Sequence, residues 1–340
     1  MKGNPTLNDV AEMADVSIAT VSRVLNQNGY VSSENRLKIE AAITKLGYRG
    51  RSSNKTFKRK KSRLIAIITS TSRVHTFLPR LTYALSIAAN QAGYFTLGIH
   101  RSADNETLPE LVNLALENNI CGMVFTDFKD ISVNLQNIDI LLHCGVPVVL
   151  VERAVCSELN SVKIDTRQGV YMAARHLLDS GRKNIIYISA PISGTVEQDR
   201  LDGFRQALLE KNISADNGRI HICNSMARED CYMELEKIFK RGPAPDGVVA
   251  WSDVFGIAAM QYFNRHKIKV PEDVAVVGYD DFLASHAVPP MSSVKSPLED
   301  MAAAAINIIH ENNHSGGEFF ARTVALTPKL IVRESSRIKL

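Results

Sequence analysis

Apolar positions follow two different rhythms along the 340-residue chain. Up to about residue 50 they recur at helical spacing in short stretches. From Leu64 onward, near-continuous Val/Ile runs alternate with longer amphipathic stretches to the end. In the first part Thr6 is placed to cap a helix, with Asp9 three residues on and Val10, Met13 and Ala14 on its apolar face. Asp15-Val16-Ser17 reads as a tight turn. Ser17 caps a second helix, 18–25, with Val21, Val24 and Leu25 turned inward. After a break at Asn28-Gly29, Ser32 or Ser33 opens a third helix, with apolar Leu37, Ile39, Ile43 and Leu46 and Gly47 as its stop.

The second part carries strand-like runs LIAIITS, YFTLGIH, GMVFT, PVVLV, SVKID, NIIYIS, RIHIC, GVVAW and VAVVGYDD, with helix-like segments between them. Such runs are the mark of parallel strands buried on both faces. About a dozen strand–helix units exceed one doubly wound sheet. The expected fold is therefore α/β, with two subdomains side by side and a ligand cleft at the carboxyl ends of their strands. An eight-fold barrel is the runner-up, but the late strand-like segments SSVKS, TVALTP and LIVRE do not continue a βα series. The divisions are a head over 1–50, a basic linker over 51–63 and a body over 64–340.

Charge sharpens this division. Residues 1–63 hold thirteen Lys/Arg against five Asp/Glu, a net of +8, whereas the rest holds 27 against 31. A basic head on a mildly acidic body suits a phosphate-seeking module, although a solvated basic arm has the same signature. No apolar run reaches the ~18–20 residues of a membrane span. The start MKGNPTLNDV has no secretory h-region, so a cytoplasmic protein is expected. The five cysteines are scattered without CxxC spacing, which argues against a disulfide framework and a zinc site. No metal or cofactor is expected.

Two short helices in a tight turn with a third behind them make a helix-turn-helix, unless the trio is a packing module. In the first case the second helix enters the major groove and presents Ile18, Ala19, Thr20, Ser22 and Arg23 outward. Arg23 suits guanine, whereas Ile18 and Ala19 offer only apolar contact. Thr6, Ser17, Ser22 and Asn26 suit phosphate oxygens. The stretch VAEMADVSIATVSRVLN closely resembles the DNA-binding head of the LacI/GalR family of bacterial transcription regulators. GVPVVLVER, VEQDRLDGF, VPEDVAVVGYDD, PPMSSVKSP and LTPKLIVRESS are similar to family patterns in the same order, so the resemblance covers nearly the whole chain.

The resemblance implies a homodimer on a palindromic operator, one head per half-site, and a body like the periplasmic sugar-binding proteins. It also implies a repressor, not an enzyme, controlled by a small molecule. The linker departs from the pattern: Arg49-Gly50-Arg51 follow Tyr48, and Phe57 stands where the family places a minor-groove Leu wedge. For the effector, Asp280 and Arg200 match family binding positions. Glu152-Arg153 and Ser252-Asp253 end strands where the family has Asp-Arg and Asn-Asp. Ser70, His75 and Arg80 follow the opening strand, and Trp251 could stack on a sugar face or fill the core. A carbohydrate is the expected effector. Arg80, Arg153 and Arg200 leave an acidic or phosphorylated metabolite as the alternative. A sugar enzyme fused to the head lacks support, since GxSxG, Gly-rich phosphate loops and HExxH are missing. A sugar-transport component fits poorly with the basic head.

Overall fold

The computed structural model describes residues 6–25, 31–46, 62–70, 77–101, 107–126, 135–152, 156–192, 194–215, 218–315 and 321–337. The chain separates into two compact units, 1–61 and 62–340. Asn26, Phe57, His75, Arg153, the side chain of Ser70 and nearly all of the linker fall outside the described residues.

The first unit holds α1 (Leu7–Ala14), α2 (Ile18–Leu25) and α3 (Ser33–Leu46). Thr6 and Asp9 close a complete capping box. The Thr6 backbone N–H and hydroxyl donate to Asp9 Oδ2 at 2.6 and 2.7 Å, and the Asp9 N–H returns to Thr6 Oγ1 at 3.4 Å. Asp15 ends α1 in the left-handed region (φ 52°), which lets the chain reverse within three residues. Ser17 then caps α2, accepting the Thr20 N–H at 3.2 Å. Val10, Ala11, Ala14, Val21, Val24, Ile39 and Ala42 form the small core. The expected apolar face of α1 is corrected here. Ala11 is inside, and Met13, on the flank of the stripe, stays 44% exposed.

The second unit is two parallel sheets, each covered on both faces. The first runs β1 (Leu64–Ser70), β2 (Phe95–Arg101), β3 (Gly122–Phe125), β4 (Val148–Val151) and β5 (Asn160–Ile164), with α4 (Phe77–Gln91), α5 (Leu108–Glu117) and α6 (Leu135–His143) between strands. The second holds β6 (Ile185–Ser189), β7 (Ile220–Ile222), β8 (Gly247–Ala250), β9 (Ala275–Asp280) and β10 (Ser292–Lys295). Its helices are α7 (Thr166–Asp179), α8 (Thr195–Leu209), α9 (Arg228–Arg241) and α10 (Asp253–Arg265). Both faces of the central strands are buried, which explains why β3, β4, β6 and β8 read as unbroken apolar runs instead of alternating ones.

One long element was not expected from the sequence pattern. Helix α11 (Leu298–His314) leaves the second sheet after β10 and packs its Leu298, Met301, Ala305, Ile306 and Ile309 into the core of the first, beside α4. Two short strands follow. β11 (Thr323–Leu326) pairs in parallel with β5 in the first sheet. β12 (Lys329–Ile331) pairs antiparallel with β10 in the second. The strand orders are β11-β5-β4-β3-β1-β2 and β12-β10-β9-β8-β6-β7. The chain thus crosses between subdomains three times, at Asp165, at Ser296-Pro297 and at Thr327-Pro328. The Asp165 N–H donates to the Leu326 carbonyl at 2.9 Å, which ties the first crossing to the third.

Candidate functional site

In the head, α2 buries Val21 and Val24, and this orients its other side. Ile18 is 50% exposed, Ala19 and Arg23 are exposed, and Thr20 and Ser22 are half-buried. Ser17 Oγ and Thr20 Oγ1 lie 2.8 Å apart, so these two hydroxyls hold each other in the first turn. The Thr6 hydroxyl proton goes to Asp9. A short helix with an exposed Arg and small side chains is thereby presented on one face of the head.

In the body, a polar cluster gathers at the carboxyl ends of the strands. Arg200, on α8, is only 6% exposed. Its Nη1 donates to the Trp251 carbonyl at 2.7 Å, and its guanidinium stands 4.0 Å from the centre of the Tyr279 ring and 5.5 Å from that of Trp251. Its Nε is buried with no hydrogen-bond partner among the described residues. A buried guanidinium with a single hydrogen bond has donors to offer a ligand. Burial disfavours its charge, but Tyr279, Tyr187, Asp280 and Glu152 outweigh that burial.

Asp280 ends β9. Its Oδ1 accepts the Ser296 hydroxyl at 3.2 Å. Burial, above all, pushes its carboxyl up to about 6. Arg200 pulls the other way, and Asp253 adds to the rise. Glu152, Asp280 and Asp281 all adopt left-handed backbone (φ 81°, 93° and 59°) at their strand ends. Such strained non-glycine positions gather where side chains must be aimed into a site. Glu152 follows β4 of the first subdomain, and Arg200 on α8 and Asp280 at the end of β9 belong to the second, so the cluster spans the cleft.

The structure gives several expected effector residues a different task. Ser252 caps α10, accepting the Phe255 N–H at 3.4 Å. Asp253 is buried with both oxygens engaged. Oδ2 accepts the Phe282 and Leu283 N–H groups at 2.6 and 2.9 Å, and Oδ1 accepts the Ser293 hydroxyl at 2.6 Å. These two residues shape the start of α10 and the turn after β9. Trp251 packs beside Phe255, ring centres 5.7 Å apart, between the clusters on the two faces of its sheet. Arg80 is exposed and stacks over the Phe282 ring at 4.7 Å, joining α4 to the turn after β9. Residues missed in the sequence are Ser296, Tyr187, Tyr279 and Arg333, whose guanidinium donates to Asp281 at 2.5 and 3.1 Å.

Among the described residues no group of three His, Cys, Asp or Glu could hold a metal ion, and no helix is long and apolar enough to cross a membrane.

Comparison with known proteins gives two family matches. Residues 6–50 match the bacterial regulatory proteins of the lacI family, and residues 174–336 match a periplasmic binding protein-like domain. The ribose operon repressor of Bacillus subtilis is 30% identical over 89% of this chain and 90% of its own. The transcriptional regulator DegA of the same organism is 28% identical over 97% of this chain and 98% of its own. Among solved structures, the regulator CelR in complex with cellobiose is 27% identical, with a TM-score of 0.71 over 97% of this chain and 99% of that one. The lac repressor dimer bound to operator and an anti-inducer has the same fold, with a TM-score of 0.70 over 98% of this chain and 99% of that one, at 23% identity.

Proposed function

The chain belongs to the LacI family of bacterial regulatory proteins, and from that premise we infer how its parts act as a DNA-binding transcriptional regulator governed by a small molecule. The regulator represses from an inverted-repeat operator read by two copies of α2, and its effector is a carbohydrate. The observation that carries the effector class is the enclosed Arg200 with one hydrogen bond, faced by Asp280 and Glu152. Two carboxylates opposite one guanidinium leave this cluster with no surplus positive charge. That favours a neutral polyol, whose hydroxyls take both donors and acceptors, over an acidic or phosphorylated metabolite. The names of relatives point the same way: one is a repressor of a ribose operon, and a structural neighbour holds cellobiose.

Coupling runs through Ser296. Its hydroxyl donates to Asp280, and it sits in the second crossing between subdomains. A ligand that takes up the Asp280 carboxylate changes the bonding of a crossing segment, and so favours one arrangement of the subdomains. The dimer surface is the exposed apolar set Tyr83 and Ile87 on α4 and Phe95 on the edge strand β2. Arg23 supplies base contact, Ile18 and Ala19 apolar contact, and Ser22 and Asn26 phosphate contact. Phe57, in the linker, acts as a wedge in the minor groove.

The test is selection of bound DNA from a random duplex pool, with cellobiose and ribose as first effector probes. An inverted repeat, with affinity changed at least tenfold by a sugar, is the expected result. Recovery of no symmetric site would overturn the operator reading. A response to sugar phosphates but to no neutral sugar would overturn the effector class.

A further inference from the structure

A cavity of about 680 Å³ opens at the outer edge of the second sheet, beside β7, α9 and the segment before β8. It lies at the amino ends of the strands, opposite the cleft, and within the size range of small-molecule sites. One wall is aliphatic, built by Ile186, Ile220, Ile238 and Pro243. Two guanidiniums reach it from different elements. Arg219, half-buried at the start of β7, donates to the Ile185 carbonyl at 3.1 Å and to the Lys183 carbonyl and Asn184 Oδ1 at 3.4 Å, all neutral acceptors. Arg241, at the end of α9, has no ion pair or hydrogen bond among the described residues. Among the described lining residues the one carboxylate, Glu234, is already taken up. Its Oε2 holds Lys237 at 2.8 Å and its Oε1 lies 3.4 Å from His221 Nδ1. Among the described residues that line the cavity, two positive charges therefore stand over an apolar wall with no free carboxylate to balance them.

We propose that this cavity is a second ligand site, which takes an organic phosphate monoester with a flat apolar body, the chemistry of a nucleoside monophosphate. Guanidinium forks match phosphate oxygens two by two. A phosphate monoester brings about −1.5 to −2 charge at pH 7, equal to the two free cations, where a monocarboxylate brings half of that. The aliphatic wall has little to offer a ring of hydroxyls but covers a flat base. The site is built within the second subdomain and does not rest on the reading of the head or of the cleft.

Calorimetric titration of the full-length protein with AMP tests it, with inorganic phosphate and adenosine as the two halves of the probe. AMP is expected to bind more tightly than either half. Arg241→Glu, at an exposed residue, is expected to weaken AMP at least tenfold with an unchanged melting temperature. Arg219→Lys keeps the charge but loses the fork, and is expected to weaken it severalfold. No heat with AMP, or equal AMP affinity in Arg241→Glu, would overturn the site. Inorganic phosphate binding as tightly as AMP, or a sugar phosphate binding better, would overturn the proposed ligand class.

Discussion

Asp280 carries two opposite pH dependences. Its carboxyl titrates near 6 in the folded protein, raised mainly by burial, against about 4 in an unfolded chain. The folded state thus holds this proton more tightly than the unfolded chain does. The ionised form works against folding above pH 6, and that penalty fades as the pH falls from 6 to 4. Ligand binding runs the other way, because accepting hydroxyl protons calls for the carboxylate. Affinity for the sugar is expected to fall about tenfold per pH unit below about 6, and Asp280→Asn to flatten the profile. Calorimetry between pH 5 and 7.5 reads this directly, and a flat wild-type profile would remove Asp280 from the ligand. In the head, Arg23→Ala is expected to cost about 1–3 kcal/mol of discrimination at one base pair, measured on the selected duplex and its variants. Because Arg23 is exposed and α2 is held by Val21 and Val24, melting should move little. Arg200 and Asp280 could be named as candidates from sequence because each sits in a family-like motif, and the fold brings them into one polar cluster. The roles of Ser252 and Asp253 were not legible, because a polar residue after a strand looks the same whether it faces a ligand or caps the next helix.

At the scale of elements, caps were legible and close approaches were not. The Thr6–Asp9 box follows from spacing alone, since an N-cap and its N3 partner are local by geometry. Thr6→Ala is expected to cost the head about 1 kcal/mol, read by chemical denaturation followed by circular dichroism. Gly203 shows the opposite case. A Cβ there would lie 2.1 Å from the Arg167 carbonyl oxygen and 3.1 Å from the Tyr171 N, so α7 and α8 meet backbone to backbone at this point. Gly203→Ala is expected to destabilise the body by about 3 kcal/mol or more, measured by thermal melting; an unchanged transition would show that the helices separate freely. Nothing in DGF marks a helix contact in advance. Helix α11 escaped the reading for a related reason. Its apolar residues are diluted by an Ala run, and their burial comes from the subdomain that the chain had already left.

For the whole molecule, linkage gives a test that needs no knowledge of the subdomain motion. If the effector changes operator affinity by some factor, the operator must change effector affinity by the same factor. Couplings of this kind are about 1–3 kcal/mol. The expected outcome is equal ratios from calorimetry of the sugar with and without duplex and from DNA titrations with and without sugar. Ser296→Ala is expected to shrink both ratios together, because it removes the hydroxyl that links Asp280 to the crossing at Ser296-Pro297. A variant that lost sugar affinity yet kept the full ratio would place the coupling elsewhere.

The sequence by itself determined what depends on local order. Helix starts and stops in the head, the parallel character of the strands and the presence of two α/β subdomains are all set by neighbours within a few residues, through side-chain period and capping. Tertiary structure decided what depends on residues far apart in the chain. It returned the chain to the first sheet through α11 and β11, placed Glu152 across from Arg200, and engaged the Asp253 carboxylate in holding Phe282 and Leu283. Buried charge is the physical reason. Each buried polar atom must find partners, and which partners lie within reach is settled by packing and not by sequence spacing.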